Sequence, residues 1–201
     1  ASGFEVLSEE SGIADIVWPI TDDRLLVVVD PLDGSTNASK GLPWYATSLC
    51  VVDRHGLRAA LVAEQSGSET RYGASRGGGA NRDGTPVRVN PLANVSQAVV
   101  GTNGAPPYPH GWWQFRTLGA AALDISLVAT GGLDGYVDFH DHGVWDYLAA
   151  VLICQEAGAI VGEVDGKDLL TIDPLARRSP VVASSQALFD SLMDTARANR
   201  H

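Results

Sequence analysis

Apolar residues fall in short, strand-length runs in the first half of the chain and in longer runs in the second. Leu25-Leu26-Val27-Val28-Val29 is rich in β-branched residues and reads as a buried strand ending at Asp30. Phe4 to Leu7 reads as a strand running into Glu9-Glu10, and residues 11–23 as a loop. Tyr45 to Val52 is a third strand, turned by Arg54-His55-Gly56 onto an antiparallel partner, Arg58 to Glu64. Residues 69–89 carry Gly73, Gly77, Gly78, Gly79 and the turn Asn81-Arg82-Asp83-Gly84, which punctuate further hairpins.

The pattern changes after Pro91. Ala98 to Gly101 is a short strand, and residues 103–113, with three prolines and two glycines, read as an irregular loop. Leu118 to Thr130 reads as a helix stopped at Gly131-Gly132. Gly135 to Phe139 is a strand. Tyr147 to Ala157, apolar nearly all round and closed by Gly158, is a buried helix. Ile160-Val161 and Val181 to Ala183 are short strands, and Gln186 to Ala198 is an amphipathic helix. The alternation predicts an α/β protein with a β-rich half over residues 1–92 and an α/β half over 93–201, packed as one compact unit.

Composition narrows the function. Hydrophobic residues make up 45% of the 201 positions, enough for a real core. No apolar run approaches the ~20 residues of a membrane span, and no charged-then-apolar signal segment opens the chain. Cys50 and Cys154 lie in apolar segments without metal-site spacing, so buried free thiols and a reducing cytoplasm are expected. The net charge of −10 repels a nucleic-acid polymer. It also repels a small phosphate ester unless cations bind first, which favours a metal enzyme over an arginine pocket.

The stretch with most chemistry is Asp30-Pro31-Leu32-Asp33-Gly34-Ser35-Thr36-Asn37. Two carboxylates at the end of a strand, turned by a Pro-Leu corner, can face one point together with the Leu32 carbonyl, a donor set suited to Mg²⁺. Gly34 allows close backbone approach, and the amides of Gly34, Ser35 and Thr36 then stand at a helix start that favours anions. An Asp-Pro turn with plain Ser or Thr caps is the bland alternative for any part of the string. Glu9-Glu10 alone reads as a solvated pair and Trp145-Asp146 alone as a helix cap. His140-Asp141-His142 reads as a polar loop, Gly77-Gly78-Gly79 as a hairpin turn, Trp112 and Trp113 as packing residues, and Arg177-Arg178 as a solvated turn.

Asp30 to Asn37 resembles the DPIDGT-type signature of the inositol monophosphatase family of magnesium-dependent phosphatases. Val144 to Ala150, running on to Glu156-Ala157-Gly158-Ala159, resembles the second signature, WDxAAG…EAGG. Leu7 to Gly12 resembles the GEE segment, and Gly119 to Asp124 with Ala129 to Tyr136 resembles the stretch between the signatures. The resemblance implies a layered α-β-α-β-α sandwich, often dimeric and lithium-sensitive. It implies Glu9, Asp30, Asp33, Asp146 and the Leu32 carbonyl as ligands of two or three Mg²⁺ ions. Ser35 with Glu9 would orient the attacking water, with Asp33 completing the catalytic group. Gly34, Ser35 and Thr36 would hold phosphate, and Gly119, Ala120 and Asp138 the substrate. The implied activity is hydrolysis of a small phosphorylated polyol such as inositol monophosphate. Phosphoadenosine phosphate, histidinol phosphate, fructose bisphosphate and the 2′-phosphate of NADP are alternative substrates, and a catalytically silent homologue is the alternative outside the enzyme class.

Several features depart from the family pattern. The paired helices that precede the family's GEE segment have no counterpart, leaving the N-terminal helical layer incomplete. Ala38 replaces an aromatic residue, Gly101 to Arg116 is short, and the loop before Trp145 carries one extra residue.

Overall fold

The computed structural model describes residues 3–10 and 19–200. Seven strands form the first sheet in chain order: β1 (Phe4–Ser8), β2 (Leu25–Asp33), β3 (Ala46–Asp53), β4 (Gly56–Glu64), β5 (Arg71–Ser75), β6 (Gly79–Arg82) and β7 (Thr85–Val87). β1 runs parallel to β2 and the other neighbours are antiparallel. A short helix, α1 (Ser35–Lys40), follows β2. The second sheet contains β8 (Val99–Asn103), β9 (Gln114–Arg116), β10 (Gly135–Asp138), β11 (Ile160–Glu163) and β12 (Pro180–Ala183), in the order β11-β12-β10-β8-β9.

Helices α2 (Ala121–Thr130) and α3 (Val144–Ala157) lie between the sheets, and α4 (Gln186–Ala198) packs on the second sheet alone. The layers are therefore sheet, helix pair, sheet, helix, the expected sandwich. Among the described residues no helix covers the outer face of the first sheet.

Alternation along the strands explains which face is which. Leu26, Val28 and Asp30 on β2, and Ala46, Ser48, Cys50 and Val52 on β3, are buried toward the helices. Val27, Val29, Leu49 and Val51 on the opposite face are only partly buried. Helix α3 touches both sheets, which is why its sequence is apolar on nearly every side. Leu148 and Ile153 within it are fully buried, each contributing about 1.5–3 kcal/mol of transfer free energy.

The first-half hairpins and α4 stand where the pattern placed them. Two helix starts differ. α2 begins at Ala121, because Leu118 to Ala120 run as a non-helical approach to the first sheet. α3 begins at Val144, because Gly143 provides the cap and Asp146 closes back onto its amide. β9 arises at the end of the proline-rich loop, pairing in parallel with β8. The Gly77–Gly79 turn is a hairpin whose Gly77 and Gly79 amides donate to the Glu156 carboxylate of α3 at 2.8 and 2.9 Å. Both cysteines are buried and free. No helix among the described residues is long and apolar enough to cross a membrane.

Candidate active site

A β-bulge builds the centre of the site. Asp30 pairs with Ser48 and Asp33 with Ala46, so three steps along β2 match two along β3. In a regular strand, residues three apart face opposite sides. The extra residue turns Asp33 to the same helix-facing side as Asp30. Leu32 stands in the bulge and donates its amide to Asp30 Oδ1 at 2.8 Å. The Asx turn and the paired carboxylates therefore coexist.

Asp146, the third residue of α3, comes from the other direction. Its Oδ2 accepts the Gly143 amide at 2.9 Å. Asp30, Asp33 and Asp146 each offer a carboxylate oxygen, and these atoms lie within 4.8 Å of one another. Asp30 is 2% exposed and Asp33 6%.

Such acids cannot all ionise cheaply. Burial pushes Asp30 up to about 7, helped by the charges of Asp146 and Glu9 and opposed by the Leu32 amide. Burial also raises Asp33 well above the usual carboxylate range, and the charges of Asp146 and Asp30 add to it. Asp146 is raised by burial as well, although the nearby His142 charge and a hydrogen bond to Asp30 pull it down. Three crowded oxygen donors holding protons against their nature form a site that fits a hard divalent cation.

Glu9 leaves β1 one residue after Ser8, which pairs with Val29, and so emerges beside Asp30. It is exposed and lies outside the three-aspartate cluster, yet its charge reaches both Asp30 and Asp146. Gly34 occupies the cap position of α1 with φ 84°, and no side chain caps that helix. Ser35 and Thr36 are therefore first-turn residues rather than caps, and their amides have no partner within the helix. A Cβ on Gly34 would stand 3.0 Å from both the Trp44 carbonyl oxygen and Ala120 Cβ.

The Gly119–Ala120 segment is anchored on three sides. Asn37 Nδ2 donates to the carbonyls of Trp44 and Leu118, both at 2.8 Å. Asp33 accepts the amides of Ala121 at 3.1 Å and Ala122 at 2.8 Å. Asp124 takes the Trp44 indole N–H at 2.7 Å and hydrogen bonds from the Gly119 and Leu118 amides. Burial nevertheless raises Asp124 to about 7.

Beside Asp33 lies a cavity of about 90 Å³, with Gly119, Ala120, Asp124 and His142 on its walls. Asp138, expected to meet substrate, is fully buried and does not line it. Its carboxylate accepts from Asn103 Nδ2 and the His140 amide, both at 2.9 Å, and meets His142 Nδ1 at 2.5 Å. His142, and not Asp138, lines the cavity. Burial opposes the His142 charge, but the Asp138 hydrogen bond and charge outweigh it and raise the imidazole to about 9. Trp44 and Asn103 are not singled out by the sequence, and His142 is read there only as part of a polar loop. Asn37 and Asp124 lie inside recognised motifs, which give them a position but no role.

The model described as "Inositol monophosphatase family" matches residues 1–201. The chain belongs to the inositol monophosphatase family. A SuhB protein of Neisseria meningitidis is 35% identical over 156 residues, 70% of this chain and 59% of that one. An inositol-1-monophosphatase of Rhizobium meliloti is 34% identical over 161 residues, 73% of this chain and 59% of that protein. Among solved structures, a Pyrococcus horikoshii protein described as similar to inositol-1 monophosphatase is 31% identical, with a TM-score of 0.83 over 96% of this chain and 77% of its own. This family member thus spans less than two thirds of the Neisseria and Rhizobium proteins it matches.

Proposed function

We propose that the chain is a magnesium-dependent phosphomonoesterase that hydrolyses a small phosphorylated polyol such as inositol monophosphate. The observation that carries this reading is the cluster of buried Asp30 and Asp33 with half-buried Asp146, within mutual coordinating reach. These carboxylates, with Glu9 and the Leu32 carbonyl, would hold Mg²⁺ in two or three positions. When bound, the cation neutralises the phosphate that an acidic protein would repel and lowers the pKa of the attacking water.

The protein's own groups do the rest. The amides at the start of α1, of the cap residue Gly34 and of Ser35 and Thr36, receive the phosphate oxygens. Ser35 and Glu9 orient water on the exposed side of the site. Asp33 fixes the Gly119–Ala120 segment, so the cavity that takes the alcohol is built onto the same residue that holds the cation. Lithium inhibition accompanies this reading.

Phosphate release tests it. Inositol monophosphate, fructose bisphosphate, phosphoadenosine phosphate, histidinol phosphate and NADP are offered with Mg²⁺ and with chelator. Magnesium-dependent release, strongest for the polyol ester, is expected. Magnesium binding by calorimetry without release from any ester would replace the enzyme reading with that of a silent binding homologue.

A further inference from the structure

We propose that Thr47 is a positioning residue: its hydroxyl holds the Pro31–Leu32 peptide, and that peptide orients the Asp30 carboxylate toward a cation. This rests on the phosphatase reading and names a residue outside the acidic cluster that sets its affinity. The three aspartates are anchored differently. Asp33 accepts two amides from the start of α2, and Asp146 accepts the Gly143 amide at the start of α3. Both of those helices are packed between the sheets. Asp30 instead accepts the amide of Leu32, which belongs to the bulge.

The backbone that carries this amide has little else to hold it. The register of β2 on β3 skips Pro31 and Leu32, and β1 pairs with β2 only as far as Val29. Pro31 has no N–H to offer a neighbour. Thr47 reaches it from the side, donating its hydroxyl to the Pro31 carbonyl at 3.0 Å. The Pro31–Leu32 peptide is trans, so its C=O and N–H point in opposite directions. One rigid plane is thus gripped at its oxygen by Thr47 and at its N–H by Asp30 Oδ1, the latter at 2.8 Å.

Thr47 is itself well fixed. Its strand is paired on both sides, with β2 and with β4. Its β-branched side chain is stiff at χ1. Gln65 Nε2 donates to its Oγ1 at 3.2 Å, which leaves the single hydroxyl proton for Pro31. Ala46 and Ser48 face the helices, so Thr47 stands on the outer face and acts on the cluster from the far side of the sheet. The bond to Pro31 is exposed, and water can satisfy the carbonyl when the hydroxyl is removed. A water is not tethered to β3, however, and fixes no direction for the Leu32 amide.

The test is Thr47→Val, which keeps the shape and the β-branch and removes the hydroxyl. Calorimetric titration of the full chain with Mg²⁺ is expected to show binding weakened about fivefold or more. Phosphate release should need correspondingly more Mg²⁺ for its half-maximal rate, and its rate at saturating Mg²⁺ should stay close to the parental value. The urea midpoint in chelator should also stay near the parental one. Thr47→Ser, which keeps the hydroxyl, should recover most of the affinity. If Thr47→Val does not fold, Thr47→Ala carries the comparison. Unchanged magnesium affinity, a rate loss that Mg²⁺ does not recover, or an equal affinity loss in Thr47→Ser overturns the positioning role while leaving the phosphatase reading intact. No magnesium binding by the parent chain overturns both.

Discussion

Asp33 accepts the Ala122 amide at 2.8 Å while one of its carboxylate oxygens lies within 4.8 Å of oxygens from Asp30 and Asp146. One side chain thus caps the helix between the sheets and completes the acidic cluster. The two duties separate under mutation. Asp33→Asn keeps an acceptor for one amide and removes a charge that its neighbours oppose. It should abolish turnover, leave the metal-free protein at least as stable at pH 8, and erase stabilisation by Mg²⁺. Asp33→Ala strands both amides and should lie about 1–2 kcal/mol below Asp33→Asn. Urea denaturation with and without Mg²⁺, alongside phosphate release, measures both. Near-parental turnover in Asp33→Asn would remove Asp33 from the catalytic group.

The raised acids set a pH dependence whose sign can be worked out. Asp30 is moved from 3.8 to about 7 on folding. Between those values the folded, metal-free protein holds a proton that the unfolded chain has released. Stability should therefore fall as pH rises from about 4.5 to 6.5. His142, raised from 6.5 to about 9, contributes fully below 6.5 and leaves that slope unchanged. Asp30→Asn should make it shallower without removing it, because Asp33, Asp124 and Asp146 are raised as well. Added Mg²⁺ should stabilise far more at pH 8 than at pH 5, because protons and cation compete for the same oxygens. A stability in chelator that does not fall between pH 4.5 and 6.5, or a metal effect equal at both pH values, would contradict the cluster's electrostatics.

Much of this arrangement was legible in the sequence because it depends on local rules. The β-branched run before Asp30, the glycine stops at Gly131 and Gly158, and the apolar α3 segment each announced their element. The convergence of Asp146 on Asp30 followed only from the family resemblance, since no local rule brings α3 to the end of β2. The bulge was read as a corner: the string suggests a turn, but the register that puts both carboxylates on one face belongs to the pairing of β2 with β3. The fate of Asp138 was not legible at all. Asp138 holds His142 instead of lining the cavity, and nothing in the spelling of residues 138–146 shows which way the ring turns.

Trp44 ties the first sheet's margin to the floor of the cavity through a 2.7 Å bond from its indole N–H to Asp124. Phenylalanine would keep most of the packing and remove the donor. Trp44→Phe should therefore lower stability by roughly 1–2 kcal/mol, because Asp124 loses a partner in a buried place. It should also weaken kcat/KM, since Asp124 also receives the Gly119 and Leu118 amides that shape the cavity. Asp124→Asn in the Trp44→Phe background should cost less than it does alone, the sign of a shared interaction in a double-mutant cycle. Strictly additive losses in both stability and turnover would show that the two residues act apart.

At Gly34 backbone and packing both oppose a side chain. Its φ of 84° is unfavourable for any L-residue with a Cβ, at about 1–2 kcal/mol. A methyl group there would also crowd the Trp44 carbonyl and Ala120 Cβ, each at 3.0 Å. Relief requires either α1 or the Gly119–Ala120 segment to retreat, and those two carry the amides for phosphate and the wall for the alcohol. Gly34→Ala should accordingly lose stability by about 2 kcal/mol and lose turnover by far more than the stability change explains. The control is Gly41→Ala at the other end of the same helix. That residue has a similar φ of 71° but nothing within 4 Å of an added Cβ, so it should show the stability loss with turnover nearly intact. Equal effects of the two substitutions on turnover would mean that strain alone, and not the close approach at Gly34, governs the site.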